Sequence, residues 1–261
     1  MNHKRTYFSE SLARGLLVIR AFSGEAPVLS PSEVARRTGL TRAAARRYLL
    51  TLQDLHYVGH DGDRFYLRPR VLELGHSYLS SVDLEHIVQP YVLELAEATH
   101  ERSSFAVLED WEVLFVARAS SKRIQSFSIS IGGRVAAHST SLGQVLLAGL
   151  SREELGQYFA NRPSLGAAQK KALRAAILEV RDRGWAAMDW HRGDGIASIA
   201  VPIRDPSGAT LAAMNVMQYP GRTSRSLLVK KYLPPLRSTA DRIEKALNAS
   251  GHFALGVRRA V

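Results

Sequence analysis

Arg36, Arg37, Arg42, Arg46 and Arg47 fall within twelve residues, and no acid lies among them. Guanidinium groups set this close together suit phosphate oxygens, and in a groove they suit the acceptor edge of guanine. Arg42 and Arg46 are four apart, so a helix puts them on one face. Ala43 and Ala44 between them keep that helix slim enough to sit deep in a major groove. The whole chain has the same sign: 35 Lys and Arg against 24 Asp and Glu, a formal net charge of +11 and a pI of about 10.2. Such a surface attracts polyanions, nucleic acid first among them. The plain alternative is a solvated face on a basic soluble protein, and charge alone does not separate the two.

Other residues suggest other chemistry. Ser139 or Ser141, with His138 or His191 and Asp189, supplies the residue types of a hydrolase triad. No G-x-S-x-G elbow follows a strand, so the expectation is that the chain is not an enzyme. His56 and His60 are four apart but flank a turn rather than share a helical face, and no further His is near. With no Cys in the chain, disulfides, thiol catalysis and thiolate metal sites are excluded. Neither a metal nor a cofactor is expected. An architectural DNA binder without a ligand is a third reading, but it leaves nearly two-thirds of the chain without a purpose.

The basic cluster needs elements to hold it. Leu12, Leu16, Ile19 and Phe22 recur at helical spacing over residues 10–23, and GEAPVLS then reads as a loop. Ser30 is an N-cap, with Pro31 at the first helical position and Glu33 three residues after the cap. This second helix, about 31–38, stops at Gly39, a favoured C-cap residue. Thr41 caps a third helix running to about Leu55, with Ala45, Leu49 and Leu52 on its buried side, opposite Arg42 and Arg46. Tyr57–Val58 and Phe65–Leu67 flank an Asp/Gly-rich tip and predict a hairpin. Helix, tight turn, helix and hairpin make a winged helix-turn-helix. Arg64, beside the wing tip, is placed for a phosphate or the minor groove.

Pro69 opens a helix over 69–80, and Val82–His100 continues as a long helical segment suited to connect domains and to carry a dimer contact. From about Arg102 strands and helices mix. Ser104–Leu108 and Val113–Ala117 form a hairpin, Gln125–Ile131 a further strand, and Thr140–Leu150, Ser151–Asn161 and Ala167–Arg183 helices. Gly184–Met188, Ile196–Arg204 and Ala209–Met217 are strands, the last two joined by the turn Asp205–Gly208, and 223–249 is a closing helix. The fold class is α+β with an antiparallel sheet. The expected domains are 1–80 for DNA binding, 81–101 as linker helix and 102–261 for sensing. Met1–Glu10 lacks the apolar stretch of a signal peptide, and no apolar run approaches the ~20 residues of a membrane span. A cytoplasmic protein without a membrane partner is expected.

These pieces resemble the IclR family of bacterial regulators. The matching stretches are SLARGLLVIRAF, LSPSEVARRTGLTRAAARRYLLTLQDLHYV, IGGRVAAHSTSLGQVLLAGLS, RGWAAMDW and GIASIAVPIRDPSGATLAAMNV. Their order and spacing cover nearly the whole chain, and the tail YLPPLRSTADRI is most similar to the branch that regulates aromatic-acid catabolism. The resemblance implies a GAF-like C-terminal domain that binds a small organic acid. It also implies a double-stranded operator, and a homodimer through the N-terminal domains or a tetramer built as a dimer of dimers. Carried over, the DNA-facing set is Ser32, Thr41, Arg42, Ala43, Arg46, Arg47 and Arg64. The effector set is Ser141, Leu142, Asp189, His191, Ser198, Asn215 and Met217. A helix starting at Ser141–Leu142 offers N–H groups to a carboxylate. Asn215 and Met217 are alternate residues of one strand and share a face. His191 stands where the family usually has an acid, and Gln144 where it often has Lys. Trp190, His191 and Arg192 could stack on and neutralise an aromatic carboxylate, or could be an ordinary exposed loop.

Overall fold

The computed structural model describes residues 7–81, 84–121, 131–190, 196–218 and 225–250. They form two compact units, Met1–Ser77 and Tyr78–Val261.

In the first unit α1 (Glu10–Arg20) leads to a two-residue strand β1 (Val28–Leu29), then α2 (Pro31–Thr38) and α3 (Arg42–Asp54). Strands β2 (Val58–Asp61) and β3 (Arg64–Leu67) follow, then a 3-10 turn at Pro69–Val71 and α4 (Leu72–Ser81), which runs from the first unit into the second. Local chemistry fixes the bend between α2 and α3. The Ser30 backbone N–H donates to Glu33 Oε2 at 2.7 Å and the Glu33 N–H returns to Ser30 Oγ at 3.3 Å, a complete capping box. Gly39 ends α2 at φ 72°, a left-handed conformation that favours glycine. Thr41 Oγ1 then accepts the Ala44 N–H at 3.2 Å and starts α3. Val18, Leu29, Val34, Leu49, Val58 and Phe65 are the buried centre.

One expectation fails here. GEAPVLS contains β1, which pairs with β3 as Val28↔Tyr66 and Leu29↔Phe65 and makes the wing sheet three-stranded. Its two residues are too short to show a period of two in the sequence. Leu12 and Leu16, which share the helical spacing of Ile19 and Phe22, are 65% and 47% exposed, while Val18 is fully buried.

In the second unit α5 (Leu84–Ile87) and α6 (Gln89–Thr99) precede the hairpin β4 (Arg102–Glu109) and β5 (Glu112–Ser120). The edge strand β6 (Arg134–Ala136) leads to α7 (Ser141–Ala148), α8 (Arg152–Ala160) and α9 (Ala167–Arg183). Strands β7 (Ala186–Trp190), β8 (Ile196–Arg204) and β9 (Thr210–Gln218) precede α10 (Arg225–Ala249). The sheet order is β6-β5-β4-β9-β8-β7, and every neighbouring pair is antiparallel.

The sheet is buried on both faces, and consecutive residues divide between them. Ile199, Met214 and Val216 pack with Leu236 and Ile243 of α10 and Val92 of α6. Ala200 and Ala213 pack with Leu146 of α7 and Ile177 of α9. Small alanines on the α7 face let that helix lie close to the sheet. At Gly143 the helix also meets the 3-10 turn Ala137–Ser139 that precedes it, where a side-chain Cβ would overlap the Ala137 carbonyl.

The helical segment expected over Val82–His100 is interrupted at Val88, just before Pro90, which sits in the first turn of α6 and cannot continue an unbroken hydrogen-bond ladder. Val88, Val92 and Leu95 are buried against the sheet, and Ala98 is exposed. The strand expected over Gln125–Ile131 lies outside the described residues except for Ile131. Strand β6 was not anticipated. No described helix is long and apolar enough to cross a membrane.

Candidate nucleic-acid interface and effector cleft

Of the DNA-facing set, Ser32, Thr41, Arg42, Ala43, Arg46, Arg47 and Arg64 are all exposed. Thr41 is the N-cap of α3, and Arg42 and Arg46 lie one turn apart on its solvent side. Ala45, Leu49 and Leu52 on the opposite side are buried. The N-terminal half of α3 thus presents a positive face on a fixed support, the arrangement by which a recognition helix enters a major groove. The other arginines have local duties. Arg37 Nη1 donates to the Ala21 carbonyl at 3.3 Å and ties α2 to the end of α1. The Arg47 guanidinium lies 5.5 Å from the Tyr48 ring centre. Arg64 pairs with Glu33 at 3.2 Å. Hydrogen bonds from Ser30, then the charges of Arg64 and Arg36, hold the Glu33 carboxyl below its usual range. The pair is well exposed, so its net strength is small and a phosphate could compete for Arg64.

The first unit also carries an apolar groove along α1 and α3. Leu12, Leu16, Ile19, Leu52, Leu55 and Leu74 are among its walls. Exposed Leu12 and Leu16 belong to this groove rather than to the core.

In the second unit a narrow cleft lies between the sheet and the start of α7. Leu142, Ser198, Asn215 and Met217 line it, as their assignment to the effector set requires, and Phe115 and Met188 complete its apolar walls. Strand register explains the grouping. Met188 is opposite Ser198, and Ser198 is opposite Met217, so the three form one row across β7, β8 and β9 on one face. Ser141 is fully buried, and its Oγ lies 2.9 Å from Ser198 Oγ. Asn215 is 2% exposed, and its side-chain oxygen Oδ1 has no hydrogen-bond partner among the described residues. A buried amide oxygen left in that state is costly unless a ligand or water satisfies it. Asp189 is on β7 opposite Ala197. His191 and Arg192 lie outside the described residues, as does the acidic position discussed with them.

Sequence reasoning missed Phe115 and Met188. Met188 was legible as the last residue of an expected strand, but its row could be drawn only once the register of three strands was known. Of the residues imagined as a triad, Ser139 and His138 are otherwise engaged. Ser139 Oγ donates to the Ala136 carbonyl at 2.8 Å, and His138 Nδ1 faces the Tyr158 hydroxyl at 3.2 Å. Burial, and then the charge of Arg162, lower the pKa of His138. His60 Nδ1 is 3.1 Å from the Gly62 carbonyl and its ring tilts over Phe65. Among the described residues no three His, Asp or Glu side chains converge on a metal position.

Comparison with known proteins agrees with both halves of this description. The profile of the IclR helix-turn-helix domain matches residues 11–62, and that of the bacterial transcriptional regulator IclR C-terminal domain matches residues 76–245. The Pca regulon regulatory protein of Pseudomonas putida is 41% identical over 235 residues, spanning 88% of this chain and 81% of that protein. The p-hydroxybenzoate hydroxylase transcriptional activator of Acinetobacter baylyi is 34% identical over 242 residues, 89% of each. A solved transcriptional regulator from Rhodococcus superposes with a TM-score of 0.79 at 43% identity, covering 93% of this chain and all of that one. An IclR homologue from Microbacterium hydrocarbonoxydans, solved with 4-hydroxybenzoate, gives 0.77 at 25% identity, covering 92% and 100%. These relatives are regulators of transcription rather than enzymes. A basic recognition helix, a winged sheet and a six-stranded C-terminal unit occur here in the order both profiles require, and the chain belongs to the IclR family of DNA-binding bacterial transcriptional regulators.

Proposed function

We propose that this regulator binds a small organic acid of aromatic-acid catabolism in the α7 cleft and that the acid changes its affinity for operator DNA. The observation that carries this reading is Asn215, whose buried Oδ1 lacks a partner among the described residues in a cleft walled by Met188, Met217, Phe115 and Leu142. Apolar walls with a few fixed polar groups are what a small organic ligand needs. Likeness to the Pca and p-hydroxybenzoate regulators, and to a homologue that holds 4-hydroxybenzoate, supports the chemical class.

On this reading Ser141, Leu142, Ser198, Asn215 and Met217 contact the effector, with Asp189 and His191 at its margin. On the DNA side Arg42, Ala43, Arg46 and Arg47 face bases and phosphates. Ser32, Thr41 and Arg64 contact the backbone. The chain acts in the cytoplasm as a homodimer, or as a dimer of dimers. The apolar groove along α1 supports a dimer through the first unit, because a second copy would cover Leu12, Leu16 and Leu55.

A screen tests the reading. Thermal unfolding of the full chain is followed with 4-hydroxybenzoate, protocatechuate, β-ketoadipate and short 2-oxo acids. A ligand of the folded state raises the melting temperature by mass action. Any hit is repeated with Asn215→Leu, which removes the polar anchor at similar size. Loss of the response in that variant is expected; an undiminished response places the site elsewhere.

A further inference from the structure

The polar atoms of the α7 cleft divide by the sense of the hydrogen bonds they still have to make. At the start of α7 they are donors. Thr140 Oγ1 accepts the Gly143 N–H at 2.9 Å, which leaves its own hydroxyl hydrogen to give. The Ser141 and Ser198 hydroxyls, 2.9 Å apart, use one hydrogen between them and keep the other. In the first turn the N–H groups of Ser141 and Leu142 have no intrahelical acceptor. Thr140, Leu142 and Ser198 all line the cleft.

Asn215 is the reverse. It lies two residues before Met217 on β9, and Met217 is opposite Ser198, so Asn215 shares their sheet face and lines the same cleft. Across the strands it stands between Ser104 and Ala200, and it is 2% exposed. Its buried Oδ1 takes a hydrogen from none of the described residues. An amide oxygen only accepts, so what it lacks is a donor.

The two kinds of atom select different groups on a ligand. A carboxylate ionised at neutral pH only accepts. It suits the donors of α7 and cannot satisfy Asn215. Placed against Oδ1 it would set acceptor on acceptor where water does not screen them. A keto oxygen fails there for the same reason. A hydroxyl or amino group carries the hydrogen that Oδ1 lacks. The remaining walls are Phe115, Leu142, Met188 and Met217, and thioether sulfurs make favourable contacts with aromatic rings.

We infer that Asn215 Oδ1 is a donor-reading subsite and that the effector is an aromatic acid still bearing a ring hydroxyl. The hydroxyl donates to Asn215, and the carboxylate lies at the start of α7. This rests on the effector reading above and narrows it: acids with acceptors alone, ring-opened oxo dicarboxylates among them, are poor ligands.

Titration calorimetry of the full chain with acids of one shape tests the assignment. 4-Hydroxybenzoate and 4-aminobenzoate carry a para group that donates. In 4-fluorobenzoate and 4-methoxybenzoate the para group does not, and fluorine keeps the size small. The 3-substituted acids are run beside them, and β-ketoadipate represents the ring-opened class. At one ring position or both, the hydroxy and amino acids are expected to bind at least about tenfold more tightly than the fluoro and methoxy acids. They are also expected to bind more tightly than β-ketoadipate. In Asn215→Leu the hydroxy and fluoro acids should bind alike. Should that variant fail to fold, the ratios in the unmodified protein decide by themselves, since an amide presenting its N–H groups instead would favour methoxy over amino. Fluoro or methoxy acids that match the hydroxy and amino ones overturn the assignment and leave an acid effector in place. So does β-ketoadipate binding most tightly, or an Asn215→Leu protein that keeps the wild-type ratio. A chain that binds none of these acids overturns the effector reading, and this assignment with it.

Discussion

Ser141 Oγ and Ser198 Oγ lie 2.9 Å apart and join the first residue of α7 to the middle of the sheet. Ser141 has no solvent exposure, so its hydroxyl has no water to replace its partner. Ser198→Ala is expected to lower the stability of the second unit by about 1–2 kcal/mol, since it leaves the buried Ser141 hydroxyl unsatisfied, and Ser141→Ala by less, because Ser198 is only half-buried. The double variant should lose less than the sum. All three tryptophans, Trp111, Trp185 and Trp190, belong to this unit, so urea unfolding followed by tryptophan fluorescence reads it selectively. Strict additivity would show that the pair does not interact.

Gly143 tests how closely α7 must pack on the turn Ala137–Ser139 that precedes it. The Ala137 backbone around its Cβ position cannot yield as a flexible side chain would. Gly143→Ala is expected to destabilise the second unit by about 1–3 kcal/mol through overpacking and to blunt the response to any effector. Unchanged urea midpoint and ligand response would mean that α7 can shift freely.

How far the sequence led can be judged from single residues. The elements of the helix-turn-helix were legible because local chemistry sets them. Ser30 and Glu33, Gly39 and Thr41 each do within four residues what the sequence suggested. Ser198, Asn215 and Met217 were reached through resemblance, and the cleft contains them. The sequence did not show that Met188 joins the row of Ser198 and Met217, because that depends on the register of β7, β8 and β9. Leu12 and Leu16 carry helical periodicity, but periodicity does not tell a core face from a face left for another partner.

On the recognition helix, Arg42→Ala and Arg46→Ala are each expected to weaken specific DNA binding by roughly 1–3 kcal/mol. Arg64→Ala should matter less, because Arg64 is held by Glu33 at 3.2 Å and must leave that pair to reach a phosphate. Fluorescence anisotropy with a labelled operator fragment ranks the three. An Arg64 effect larger than that of Arg42 would place the main contact in the wing.

The groove along α1 bears on assembly. Leu12 and Leu16 are exposed in the single chain, so Leu12→Glu with Leu16→Glu should leave the first unit folded and separate the copies. Sedimentation velocity is expected to show a smaller species, with operator affinity reduced because two half-sites are no longer read together. An unchanged sedimentation coefficient would put the dimer contact elsewhere.

The account holds that one chain couples an organic acid in the α7 cleft to DNA at α3. Coupling requires that the acid bind the two states of the regulator unequally, and it is reciprocal. The most direct measurement is the affinity of the full chain for its operator fragment at fixed salt, with and without an acid that raises its melting temperature. The account expects that acid to shift the affinity by roughly 5- to 150-fold in one direction, with the shift abolished in Asn215→Leu. An acid that stabilises the protein through this cleft yet leaves operator affinity unchanged would contradict it.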